Sequence, residues 1–252
     1  ETNREHAFLK RELLSGARLI SPYNQVGGTD LDMTNGISNW SADPQRPLAL
    51  MATDYDFHSM ITVDGRKRVE ALQGRLTGSL IASLAELLAC AEPVDCPLSV
   101  SCDFPAAKRL CEDGRETAFF PALKMDHGAF LFGVSNLGSA PGTFTARSQQ
   151  VSFTSRVQAQ ETRIYPYQFS LQPWGYAAVI LWAEAELISI SPHEDGLMIT
   201  FTGSADERVS ILHEGKESVF TGAASFRTSV SKLNGSGMDE TVPESISGFS
   251  IR

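Results

Sequence analysis

The sequence lacks both a long run of basic residues and a long run of apolar ones. Its most basic stretch is Arg66-Lys67-Arg68, and the formal net charge of the 252 residues is -9. An acidic chain without a basic patch is a poor match for nucleic acid or for an anionic membrane surface. No apolar run approaches the roughly 20 residues that a membrane helix needs. The sequence therefore predicts neither a nucleic-acid partner nor a membrane partner.

Cysteines are few, and the common cofactor motifs are absent. The four cysteines are Cys90, Cys96, Cys102 and Cys111. They include no C-x-x-C pair, and no histidine stands at zinc-ligand spacing, so no metal site is predicted. Disulfides and buried thiols both stay open as roles for these residues. The sequence has no P-loop, dinucleotide fingerprint or nucleophile elbow, and it predicts no cofactor.

The start of the chain also lacks familiar features. It begins at Glu1 without a methionine, a basic n-region or an apolar h-region. A helical pattern follows almost at once. We therefore expect the sequence to be a piece of a longer protein, and its start gives no basis for assigning a compartment.

Two stretches in the first 92 residues have the period of an amphipathic helix. Residues 3–15 carry apolar side chains at helical spacing, and Gly16 stands where a terminating glycine belongs. Residues 67–91 have apolar residues at steps of three and four, namely Val69, Leu72, Leu76, Leu80 and Leu84. Between the two helices, residues 17–26 predict a buried strand that Gly27-Gly28 ends.

Beyond residue 92 the apolar period changes to two. Short strands with turn signals about every ten residues are typical of an antiparallel sandwich. His193 to Gly196 predicts a hairpin turn in this region, and Asp64-Gly65 predicts an earlier turn. Trp174 and Trp182 stand at strand positions, which favours a place in the core over a role as ligand platforms.

Polar residues gather at two places, each directly after an apolar stretch. Carboxylates accept hydrogen bonds from sugar hydroxyls, and an aromatic face covers the C–H side of a sugar ring. The candidate sugar-binding residues are Tyr23 and Tyr55, and the supporting residues are Gly27, Gly28, Thr29, Asp30, Asp54 and Asp56. The alternative for Tyr23 is a strand residue packed under a loop. The alternative for Asp54-Tyr55-Asp56 is an Asx-type turn with a structural tyrosine.

Asp54 and Asp56 could also be considered as a catalytic acid and base. Residues i and i+2 of a strand share a face at ~6.5 Å, close to the carboxylate separations of glycosidases. Two neighbouring side chains of one strand cannot easily flank a glycosidic bond from opposite sides. We therefore predict that this pair holds loops or binds hydroxyl groups.

The two stretches that contain Tyr23 and Tyr55 resemble sequence motifs of glycoside hydrolase family 35, the retaining β-galactosidases with two catalytic glutamates. The family motif Asn-x-Tyr-Met-x-x-Gly-Gly-Thr-Asn-Phe-Gly corresponds to residues 21–32 of this chain, and Ser-Tyr-Asp-Tyr-Asp-Ala-Pro corresponds to residues 52–58. Gly65 matches the glycine that follows the second motif. The resemblance covers roughly residues 4–91.

The resemblance implies an α+β multidomain fold. Residues 1–92 would be the last elements of a (β/α)8 TIM barrel: helix 7 at residues 3–15, strand 8 at residues 17–26 and helix 8 at residues 67–91. Residues 93–252 would be a sandwich-like accessory domain.

The resemblance also implies a role for this chain. Both catalytic glutamates would lie upstream of Glu1, so the chain would contain no catalytic residue and would be inactive alone. Tyr23 would line the galactose subsite and Tyr55 would bind the sugar. The partners would be a β-galactoside or a related carbohydrate and the upstream barrel segment of the same protein.

The sequence departs from the family motifs at several positions. Asp30 to Asp32 replace Asn-Phe-Gly, and Phe57-His58 replace Ala-Pro. A related β-glycoside is therefore open as a substrate. The alternative function is a non-catalytic carbohydrate-binding or interaction β-sandwich module, which predicts exposed aromatic contacts within 93–252. A purely structural domain would bind no sugar.

Overall fold

A computed structural model describes residues 4–22, 25–29, 37–38, 49–50, 54–55, 59–193, 196–221 and 249–251. The chain divides into two compact units. One unit combines Asn3–Ile20 with Leu76–Arg252, and the other is Ser21–Arg75. The predicted domain boundary at residue 92 stays a prediction.

Three helices are described. They are α1 (Arg4–Leu14), α2 (Val69–Ser83) and α3 (Ala85–Cys90). The helix predicted for residues 3–15 is confirmed, and Gly16 ends it with a φ of 96° and an N–H bond to the carbonyl of Leu13. Among the helices described, none is both long and apolar enough to cross a membrane.

The helix predicted for residues 67–91 is present, but it breaks at Leu84, which has a φ of -115° and a ψ of 15°. Its apolar stripe is buried only in the second half. Leu80, Leu84 and Leu88 are buried, whereas Val69, Leu72 and Leu76 are exposed. A regular apolar period thus identified the helix without showing how much of its face is covered.

The strands are short in one unit and longer in the other. Within Ser21–Arg75 they are β1 (Gly28–Thr29), β2 (Ile37–Ser38), β3 (Ala49–Leu50) and β4 (Asp54–Tyr55). The other unit contains β5 (Glu92–Asp95), β6 (Ser99–Cys102), β7 (Lys108–Leu110), β8 (Glu116–Ala118), β9 (Pro121–Lys124), β10 (Phe130–Ser135), β11 (Gly142–Arg147), β12 (Ser152–Val157), β13 (Thr162–Ser170), β14 (Ala178–Ala183), β15 (Glu186–His193), β16 (Gly196–Thr202), β17 (Arg208–His213), β18 (Lys216–Thr221) and β19 (Phe249–Ile251).

The predicted TIM-barrel elements are wrong. No βα element of a barrel is found in the described residues, and the strand ladders described are antiparallel. Residues 17–22 form no strand, and Val26 makes one isolated parallel bridge, to Ile61. A barrel strand is buried on both faces and has parallel neighbours. Leu19, in the middle of the predicted strand, is instead 89% exposed. The fold is mostly antiparallel β, with three short helices, rather than α+β with barrel elements.

A seven-stranded antiparallel sheet is the centre of the larger unit, in the order β18-β17-β14-β13-β10-β9-β5. Its two faces contribute to two separate apolar clusters. The first cluster joins the sheet to α1, to the buried stripe of leucines and to β15 and β16. The second joins the sheet to β11 and β12. The hairpin predicted at His193 to Gly196 is confirmed, because these two residues pair as the ends of β15 and β16.

Strands β13 and β14 change face in the middle. Tyr167 and Phe169 are two residues apart on β13, yet they belong to different clusters. Between them, Gln168 has a left-handed φ of 46°. On β14, Ile180 and Trp182 are also divided between the clusters, and the register with β17 shifts between them. The extra residue of a bulge reverses the alternation of side chains.

Helix α1 lies against β10 at a glycine. A β-carbon added at Gly133 would overlap the Cδ1 atom of Leu14, and Leu14 is fully buried. Lys10, one turn earlier, places its ammonium 2.6 Å from Oε1 of Glu186 and donates to the carbonyl of Thr162 at 3.0 Å. The same Glu186 oxygen accepts the N–H of Ile164 at 3.1 Å. One apolar and one ionic contact therefore join the helix to the β-rich part of the unit.

Replacing Gly133 by alanine should destabilise the protein. Leu14 is fully buried and would have to shift within the core, so we expect a loss of about 1–3 kcal/mol in the free energy of unfolding. Urea denaturation followed by far-UV circular dichroism measures it. The matched control is Gly78→Ala, because Gly78 lies on α2 with nothing within 4 Å of the added carbon. This control should stabilise the helix by roughly 0.5–1 kcal/mol. Equal stability of the two variants would contradict the close contact between Leu14 and Gly133.

The four cysteines are free thiols, of which Cys90 is exposed. Burial raises the pKa of the Cys96 thiol to about 11, against an opposing backbone hydrogen bond from Leu98. Because thiolates are the reactive form, iodoacetamide at pH 8 should modify Cys90 at least about tenfold faster than Cys96. Peptide mass spectrometry measures both rates, and equal rates would contradict the burial of Cys96.

The same shift predicts a stability change at high pH. An acid whose pKa is raised in the folded state adds stability below its ordinary pKa of 9.0 and loses it as the pH rises toward 11. Cys96→Ala should therefore reduce the loss of stability between pH 9 and pH 11.

Candidate functional site

The two stretches that the sequence singles out lie side by side in the structure. Strand β1 pairs with β4 in antiparallel register, with Gly28 opposite Tyr55 and Thr29 opposite Asp54. This is backbone pairing between segments that are far apart in the sequence. It brings five of the eight predicted site residues, including Gly27 beside Gly28, into one short ribbon.

Backbone hydrogen bonds also join the segment that precedes β1 to Ile61. The N–H of Gly27 donates to the carbonyl of Ile61 at 2.7 Å, and the N–H of Ile61 donates to the carbonyl of Gln25 at 3.0 Å. A β-carbon at Gly27 would lie 2.8 Å from the backbone nitrogen of Val63 and 3.2 Å from Oγ of Ser59. Gly27 is therefore required by the close approach of two backbones rather than by a special backbone angle.

Residues 59–68 form the support for this contact. The predicted Asp64-Gly65 turn is confirmed: Gly65 has a φ of 83°, and the N–H of Thr62 donates to the carbonyl of Arg66 at 2.9 Å. The Thr62 hydroxyl donates to the Asp64 carboxylate. This bond, together with the nearby Arg66 guanidinium, lowers the pKa of Asp64.

Buried polar groups then connect the two ends of this turn segment. Ser59 is 1% exposed, and its hydroxyl donates to the carbonyl of Ile61 at 2.6 Å. The guanidinium of Arg68 donates through Nη1 to the carbonyl of Ser59, also at 2.6 Å. In the sequence, Arg68 stands out only as part of a basic run. The turn signal at Asp64-Gly65 was the available indication that Arg68 returns beside residues 59 and 60.

The predicted site residues differ in how much of them the structure describes. Gly27 and Gly28 are described in full, and Thr29, Asp54 and Tyr55 are described by their backbone pairing. Tyr23, Asp30 and Asp56 lie outside the described residues. The sugar-binding roles given to all of these residues stay predictions.

The described part of the β-rich unit presents no exposed aromatic ring. Every aromatic side chain described between residues 93 and 221 is buried or half-buried. Trp182 stacks on Phe153, with the ring centroids 5.6 Å apart and the planes 12° apart, and Arg208 lies over its ring. The prediction that Trp182 belongs to the core is confirmed, and Trp174 packs against the first apolar cluster. An aromatic platform for a sugar requires an exposed ring face, which the described part of this unit does not offer.

The buried carboxylates of the β-rich unit are paired with cations. Arg163 lies 2.9 Å from Glu207, and Arg208 lies 2.5 Å from Glu184. Burial raises the pKa of Glu207, although Arg163 opposes the shift. Within the described residues, no group of three His, Cys, Asp or Glu side chains could hold a metal ion. These carboxylates therefore stabilise the sheet rather than form a second candidate site.

Comparison with known proteins adds no assignment. No family model matches the chain, and no match is found among curated proteins. The resemblance to glycoside hydrolase family 35 therefore depends on the two motifs alone.

Proposed function

We propose that this chain is part of a β-galactosidase-like glycoside hydrolase and contributes sugar-binding residues to its active site. The observation that supports this most is the pairing of β1 with β4. The two motifs of the resemblance are adjacent in space, with Gly28 opposite Tyr55.

The residue types of the two motifs suit a polyhydroxylated ligand. A tyrosine hydroxyl can both donate and accept a hydrogen bond, and a carboxylate accepts bonds from adjacent hydroxyl groups. Tyr23 and Tyr55 are proposed to contact the sugar, with Asp54 in support. The turn segment at residues 59–68 holds the Gly27 backbone through the hydrogen bonds of Ile61, and a precise binding site needs such support.

The chemistry of the intact enzyme would need two glutamates. In a retaining mechanism one glutamate attacks the anomeric carbon and the other donates a proton to the leaving oxygen, and water then releases the sugar. Both glutamates are proposed to lie outside this chain. The contribution of the residues described here is to bind and orient the sugar, which lowers the barrier only when the catalytic pair is present.

The function of a separate sugar-binding sandwich receives less support. That alternative requires exposed aromatic rings beyond residue 92, and the aromatic side chains described there are buried or half-buried.

Replacing Tyr55 by phenylalanine should weaken the binding of methyl β-galactoside to this chain. Loss of one hydrogen bond to a neutral partner corresponds to about 0.5–1.5 kcal/mol, or roughly a twofold to twelvefold increase in Kd. Titration monitored by saturation-transfer NMR measures the change. Tyr167→Phe is the matched control, because the Tyr167 hydroxyl lies in the β-rich unit beside Ser148. An unchanged Kd for Tyr55→Phe would remove this residue from the site.

The chain by itself should not hydrolyse a chromogenic β-galactoside. Its carboxylates are proposed to bind sugar hydroxyls, and the nucleophile and the acid are proposed to lie elsewhere. An assay with o-nitrophenyl β-galactoside, run beside a buffer blank and an active β-galactosidase, measures this. Turnover above the blank would show that carboxylates of this chain suffice and would contradict the proposal.

A further inference from the structure

The carbonyl of Ile61 accepts two hydrogen bonds. One comes from the N–H of Gly27 at 2.7 Å and the other from the hydroxyl of Ser59 at 2.6 Å. The first bond fixes the end of the segment that leads into β1. The second bond comes from a side chain that is almost fully buried, because Ser59 is 1% exposed.

Arg68 holds Ser59 in turn. Its Nη1 atom lies 2.6 Å from the Ser59 carbonyl oxygen and 3.4 Å from the Ser59 hydroxyl oxygen. The backbone N–H of Arg68 donates to the carbonyl of Met60 at 3.0 Å. Side chain and backbone of one residue therefore fix two consecutive carbonyls. A planar, permanently charged guanidinium suits this task better than a flexible ammonium group.

The position of Gly27 depends on this support. An added β-carbon would lie within 3.2 Å of Ser59 and 2.8 Å of Val63, so the backbones are already in close contact. Gly28, the next residue, is the one that pairs with Tyr55. A shift of Ser59 or Ile61 would therefore move the backbone that positions the β1–β4 ribbon.

We propose that Arg68 is a positioning residue for the sugar site. It holds Ser59, Ser59 and Ile61 fix Gly27, and Gly27 sets the place of the Gly28–Tyr55 pair. Arg68 does this without contacting the sugar. The inference rests on the proposed function, because it assigns to Arg68 a role in the site that the ribbon is proposed to form.

The neighbouring Arg66 offers a matched control. Its side chain is 80% exposed and forms an ion pair with Asp64 at 2.7 Å, at the turn. Arg66→Ala removes the same charge and the same type of side chain from the same segment. It leaves the bonds to Ser59 and Met60 in place.

The test compares Arg68→Ala with Arg66→Ala in the full 252-residue chain. Amide hydrogen exchange by NMR reports the Gly27 and Ile61 bonds directly, and the Kd for methyl β-galactoside reports the site. Arg68→Ala should accelerate exchange at Gly27 at least about tenfold and raise the Kd about fivefold or more. Arg66→Ala should change neither quantity. Arg68→Lys should recover part of both effects. If circular dichroism shows that Arg68→Ala is unfolded, Ser59→Ala, which removes only one hydroxyl, is tested in its place.

The outcomes separate this inference from the function on which it rests. Unchanged exchange at Gly27 in Arg68→Ala would overturn the positioning role, even where Tyr55→Phe weakens binding. Faster exchange with an unchanged Kd, again with an effect of Tyr55→Phe, would also overturn it. If Tyr55→Phe and Arg68→Ala both leave the Kd unchanged, the proposed function fails, and the inference fails with it.

Discussion

The larger unit depends on the contact of one short helix with one sheet. A missing side chain at Gly133 lets Leu14 of α1 approach the backbone of β10, and the buried Lys10–Glu186 pair fixes the same helix nearby. The apolar contact supplies stabilisation without direction, and the ion pair supplies direction at the expense of desolvating two charges. Because Glu186 also accepts the N–H of Ile164, the pair is part of the hydrogen bonding of β13. Helix and sheet therefore stabilise each other.

The sequence predicted the elements that local pattern determines. The helices near residues 3–15 and 67–91 follow from apolar spacing, and the turns at Asp64-Gly65 and before Gly196 follow from turn chemistry. The strand expected at residues 17–26 was wrong, because apolar content shows what a segment could bury and not whether anything covers it. Leu19 is an example, because it is apolar and yet 89% exposed.

The candidate site was also predictable from the sequence only in part. The glycines and tyrosines of the two motifs could be named from the sequence, since these residue types suit turns and sugars. Their pairing could not, because the register between β1 and β4 is a contact between distant segments. Arg68 was missed because a polar residue gains its structural role from the carbonyls that it reaches after the chain has turned back.

The left-handed Gln168 has a consequence for the whole β-rich unit. In a regular strand the order of residues assigns odd and even positions to opposite sides of the sheet. At Gln168 this alternation reverses within β13. In β14 it reverses between Ile180 and Trp182, which pair with Phe169 and Tyr167 of β13. One sheet thereby contributes Tyr167 and Trp182 to one interior and Phe169 and Ile180 to another. A regular strand would send Tyr167 and Phe169 to the same side of the sheet, so the left-handed residue between them is what divides these two large side chains between the interiors.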